Sequence, residues 1–111
     1  MTRRRAPRIA PPAAVVWTNR ALADLQAIGD YIALDSPVAA RRWVDGLMAL
    51  AERAAAAPLA GRRVPEIGND SIREVFKRTC RLVYRLTDHR IEVLTVFEGH
   101  RILPDDFSEG E

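Results

Sequence analysis

Apolar and polar positions change period twice along this chain. Ala14-Val15-Val16-Trp17 is an unbroken apolar run closed by Thr18-Asn19, which has the length and composition of a short strand. Beyond it Leu22, Leu25, Ile28 and Ile32 recur every three or four residues. That stripe predicts an amphipathic helix over about 19–34, capped by Thr18 or Asn19. Ser36-Pro37 restarts the pattern: a serine can accept from the orphan amides of a helix start, and proline fits the first turn with its fixed φ. Trp43, Leu47, Leu50 and Ala54 form the buried stripe of this second helix, which should stop before Pro58. Two amphipathic helices with so short a connection form an antiparallel hairpin, and their stripes need a sheet to cover.

Residues 58–71 are rich in turn formers and follow neither period, so they are expected to form a long loop presenting Arg62 and Arg63. Three strand-like runs follow: Ile72 to Lys77, Cys80 to Leu86 and Ile91 to Phe97, the last two joined by a tight turn over Thr87-Asp88-His89-Arg90. In the middle run Arg81, Val83 and Arg85 share one side, while Leu82, Tyr84 and Leu86 share the other. The expected arrangement buries the leucine side and shows guanidinium groups on the opposite one. The order strand, helix, helix, three strands predicts an α+β fold, with the helical hairpin packed on a small, mainly antiparallel sheet.

Composition narrows the class. The 111 residues fit one domain, and 48% hydrophobic content can bury a core without disulfides, for which the lone Cys80 has no partner. No run has the length of a membrane span, and the protein is expected in the cytoplasm. The net charge of +2 conceals a division: residues 1–14 carry four arginines and no acid, leaving thirteen bases against fifteen acids in the rest. Residues 1–14, which also hold Pro7, Pro11 and Pro12, read as a flexible arm, residues 15–103 as the folded domain and residues 104–111 as an acidic tail. Residues 62–101 hold nine bases and six acids, enough to steer an anionic partner but less than a dedicated duplex-binding domain carries.

Several segments, in this order and at these distances, resemble the ParE/RelE superfamily of toxins from type II toxin-antitoxin systems, the ParE branch most closely. They are Ala23 to Ile28 with Asp30 to Ala33, Ser36 to Ala40, Pro58 with Gly61-Arg62 and Pro65-Glu66, Arg73-Glu74, Arg81 to Arg85, and Ile91 to Leu94. The resemblance implies a toxin neutralised by a cognate antitoxin, ParD-like or RelB-like, in a hetero-oligomer. ParE-type members are associated with inhibition of DNA gyrase by protein binding, and RelE-type members with ribosome-dependent cleavage of messenger RNA. It also implies that an amphipathic antitoxin segment lies beside the second helix, with Trp43 and Leu47 as apolar anchors and Arg73, Arg81 and Arg85 meeting its carboxylates.

The residues themselves weigh those two activities. RNA cleavage through the 2′-hydroxyl needs a base, cations for the phosphorane and an acid for the leaving oxygen. Arg62, Arg73, Arg81 and Arg101 can supply charge, and Glu98 with His100 is the available acid-base pair, with Glu98 standing where family members commonly carry histidine. A surface salt bridge is the simpler role for Glu98. Two histidines and one cysteine at these spacings support no metal site, and no phosphate-binding glycine loop or other cofactor motif is present. The expected function is therefore ParE-type, by protein binding, with the endoribonuclease as the alternative.

Overall fold

A computed structural model describes residues 13–98. Most of the basic arm, the residues His100 and Arg101, and the acidic tail lie outside the described residues. The elements are β1 (Ala14–Trp17), α1 (Asn19–Ala33), α2 (Pro37–Ala56), β2 (Arg62–Arg63), β3 (Ile72–Lys77), β4 (Cys80–Leu86) and β5 (Arg90–Glu98), with a 3-10 turn at Pro58–Ala60.

Both helices begin where their caps dictate. The Thr18 hydroxyl accepts from the Ala21 amide at 3.1 Å, and that of Ser36 accepts from Ala39 at 3.1 Å, with Pro37 opening the second helix. Thr18 also donates to the Val93 carbonyl at 2.8 Å, so the residue that starts α1 fastens it to β5. The stripe on α1 is rotated from the expected one. Ala21 and Leu25 are buried while Leu22 is 47% exposed, because small Ala21 lets the helix approach the sheet more closely than a leucine would. On α2 the expected stripe holds, with Leu47, Leu50 and Ala54 buried and Trp43 packed at its edge.

The sheet has five strands in the order β1-β5-β4-β3-β2, antiparallel except for the parallel pair of β1 and β5. The fold is therefore α+β, two helices on one face of a mixed sheet. Two features correct the sequence expectation. The segment after Pro58 is more than a loop, since Arg62 and Arg63 pair with Glu74 and Arg73 as an edge strand. The arginine side of β4 is also far from solvated: Val83 is fully buried and Arg81 only 5% exposed. Val64, Ile72, Leu94 and Phe97 join Val83 in a second apolar cluster, with Ile67 packed against it. An antiparallel sheet often leaves one face to water. Here the turn after β2 folds back and covers it.

Candidate functional site

The second face is built from alternation in two strands. Ile72, Glu74 and Phe76 of β3 lie on the same side as Arg81, Val83 and Arg85 of β4, so opposite charges meet beneath the covering turn. Glu74 has no side-chain exposure and accepts from Arg62 Nε at 2.7 Å on one oxygen. Its other oxygen accepts from Arg81, from Nε at 2.8 Å and also from Nη2. Arg81 in turn forks onto Glu66, from Nη1 at 3.0 Å and Nη2 at 3.1 Å. Aromatic rings complete the enclosure: the Arg81 guanidinium carbon stands 5.1 Å from the centre of Phe97 and 6.0 Å from that of Phe76, with Arg62 5.5 Å from Phe76.

This network carries two positive and two negative charges. Hydrogen bonding to Glu66, joined by Glu74, raises the Arg81 pKa further against the opposing effect of burial. No buried side-chain nitrogen or oxygen among the described residues lacks a partner. A buried ion cluster persists only when its desolvation is offset in this way.

Arg73, Arg85 and Arg90 are also engaged. Arg73 donates to the backbone carbonyls of Gly61 at 3.0 Å, Leu59 at 3.3 Å and Asp70 at 3.0 Å, so it clamps the 3-10 turn and the loop before β3. Arg85 pairs with Glu92, its direct neighbour across β4 and β5, at 3.1 Å, and Arg90 reaches the other oxygen at 2.9 Å. Burial alone would raise the Glu92 carboxyl, but hydrogen bonds from Arg90 and Arg85 outweigh it and hold the group below its usual range. The expectation of an exposed row of arginines is corrected accordingly. Arg81 is covered, Arg73 is spent on backbone oxygens, and Arg85 is half-buried against a carboxylate.

The apolar candidates divide too. Trp43 is half-buried, with the Lys77 ammonium 5.0 Å from its ring. Leu47 is wholly buried in the core between helices and sheet, so it supports that surface from beneath. Tyr84 is likewise buried and donates to the Pro58 carbonyl at 2.7 Å. A Cβ on Gly61 would stand 2.2 Å from that hydroxyl, so glycine is what lets the turn close over it. Burial raises the Tyr84 pKa, opposed by the Arg73 charge and the Gly61 backbone. Glu98 ends β5, exposed, opposite Cys80. An open cleft of about 540 Å3 lies between α2 and the β2 edge, lined by Leu50, Ala54, Val75 and Phe76, with Arg53 and Arg62 at its rim. Among the described residues no group of three His, Cys, Asp or Glu side chains could hold a metal, and no helix is long and apolar enough to cross a membrane.

Sequence reasoning missed Glu66 and Glu74 as the partners of Arg81. The signal was the alternation Ile72, Glu74, Phe76, which sets an acid on the buried side of a strand whose neighbour sets an arginine there.

Comparison with known proteins agrees with this architecture. A solved structure described as the chromosomal ParDE TA system from P. aeruginosa superposes with a TM-score of 0.65 at 23% identity, covering 78% of this chain and 96% of that one. At that identity the likeness speaks for the fold. Toxin RelE2 of Caulobacter vibrioides is 54% identical over 50 residues, which make up 45% of this chain and 57% of the relative. The family model for the ParE toxin of the type II toxin-antitoxin system parDE matches residues 15–103. That match runs through every described element from β1 to β5, and the chain belongs to the ParE toxin family of type II toxin-antitoxin systems.

Proposed function

We propose that this chain acts as a toxin by binding a protein target, DNA gyrase, in the cytoplasm without chemistry of its own, and that a cognate antitoxin of ParD or RelB type neutralises it. The observation that carries this reading is the state of the arginines. Arg62, Arg81 and Arg85 are already matched to Glu74, Glu66 and Glu92, and Arg73 is matched to carbonyl oxygens. A phosphorane-stabilising site needs guanidinium N–H groups turned to the reacting phosphate, whereas those of Arg62, Arg81 and Arg85 are turned to carboxylates of the chain itself. On the same reading the antitoxin lays an amphipathic segment along α2 against Trp43, with Leu47 shaping that surface from below, and of the three proposed carboxylate contacts the half-buried Arg73 and Arg85 are more accessible than Arg81.

The second reading is favoured by the RelE2 likeness: a ribosome-dependent endoribonuclease using Glu98, His100 and Arg101 with Arg62, Arg73 and Arg81. Induction of the chain alone separates the two. The expected result is that thymidine incorporation falls before amino-acid incorporation and that the purified protein blocks gyrase supercoiling, with growth restored by the co-expressed antitoxin. Codon-positioned cleavage of transcripts that disappears in Glu98→Ala or His100→Ala would establish the nuclease instead.

A further inference from the structure

Arg81 offers five N–H donors, and its surroundings divide them. Glu74 on the middle of β3 takes the inner edge, and the rings of Phe76 and Phe97 lie beside the guanidinium. What remains is the outer fork of Nη1 and Nη2, which holds the two oxygens of Glu66. The two carboxylates differ in kind. Glu74 has no side-chain exposure and sits within a paired strand, whereas the Glu66 side chain is 34% exposed on a turn.

That turn has anchors of its own. Val64 is fully buried, its carbonyl accepts from the amides of Ile67 at 3.1 Å and Gly68 at 2.9 Å, and Gly68 takes a φ of 68° that glycine tolerates without strain. Arg63 Nη2 donates to the Gly68 carbonyl at 2.8 Å. Loss of the Glu66 side chain therefore leaves the turn and the guanidinium held by other contacts. It also leaves Arg62, Arg81 and Glu74 with one net positive charge.

We infer that the outer fork of Arg81 is a carboxylate-binding site plugged by the chain's own Glu66, and that an acidic side chain of a protein partner displaces the plug. Planar two-point pairing is the geometry in which a guanidinium reads a carboxylate. The choice of a protein acid over a phosphate rests on the protein-binding reading above. A plug tethered in the same chain competes at an effective concentration in the millimolar range or higher, so a free small acid does not win. A partner wins by adding contacts alongside, and Phe76, 43% exposed beside the fork, offers the apolar one.

The test is titration of the purified chain and its Glu66→Ala variant with acetate and with inorganic phosphate, followed by the Arg81 Nε–Hε NMR signal. Saturable acetate binding at least tenfold tighter in the variant than in the wild type is the expected result, with phosphate no tighter than acetate. Equal acetate affinities would make Glu66 a structural contact only, and a tenfold preference for phosphate would make the fork a phosphate reader; either overturns the inference. Should Glu66→Ala not fold, Glu66→Gln serves, since it keeps an acceptor oxygen but removes the charge. Acetate affinity above wild type is then expected, and equality overturns the inference. The readout is independent of DNA synthesis, so the inference can fail while the gyrase reading stands, and the reverse.

Discussion

Cys80, on β4 with 2% of its surface exposed, shows at the residue scale how position decides chemistry. Burial, helped by the charges of Glu98 and Asp24, pushes its thiol from an ordinary value of 9.0 up to about 11. The thiol is therefore protonated at neutral pH and inert as a nucleophile. A raised folded pKa means that the folded state holds its proton more tightly, so this contribution to stability is complete below the unfolded value and is lost as pH rises through the folded one. The stability advantage of wild type over Cys80→Ala should accordingly shrink between pH 9 and about pH 11, by roughly 3 kcal/mol at 1.36 kcal/mol per unit. Denaturant titrations of both proteins across that range measure it, and a constant difference would refute it.

At the scale of the element, the start of α1 does two jobs with one hydroxyl. Thr18 caps the helix through Ala21 and ties it to β5 through Val93, while Asp24, six residues on, accepts from the Thr95 hydroxyl and the Val96 amide at 3.2 Å. These contacts flank the register shift of β5 against β4 between Val83 and Tyr84, where Leu94 has no direct partner. Bulges need local partners for the backbone groups they displace, and a helix side chain supplies one here. Thr18→Val, which keeps the shape and removes the hydroxyl's bonds to Ala21, Val93 and Leu94, should cost about 1 to 2 kcal/mol by chemical denaturation, whereas Thr18→Ser should stay within about 0.5 kcal/mol. Equal losses in the two variants would show that the methyl group, rather than the cap, matters.

For the molecule as a whole, the arginine network makes the second sheet face part of the interior. Arg81→Met removes the charge that Glu74 faces from Nε and Nη2 and the two hydrogen bonds that Glu66 accepts from Arg81, leaving Glu74 only Arg62, whose side chain is 62% exposed. A broken buried pair of this kind costs roughly 3 to 5 kcal/mol, against about 0 to 1 kcal/mol for the surface pair of Arg63 and Asp70. Thermal unfolding of Arg81→Met and Asp70→Ala should rank them in that order. Comparable losses would mean that Glu74 and Glu66 find water or other donors when Arg81 is gone.

The elements were legible in the chain because their causes are local. The spacing of Leu25 and Ile28, the caps Thr18 and Ser36, Pro37 at a helix start and the turn at Thr87 all act within a few residues. Even the side of β4 on which Arg81 lies follows from the period of two. What that side faces does not. Alternation assigns a residue to a face but cannot tell whether water or another segment covers it, and here Val64, Ile67 and Glu66, fifteen or more residues from their β4 partners, close over the sheet. Arginine 81 was therefore expected in solvent and stands instead between two carboxylates and two aromatic rings, because burying Val83, Leu94 and Phe97 brings the turn down and matched charges make that burial tolerable.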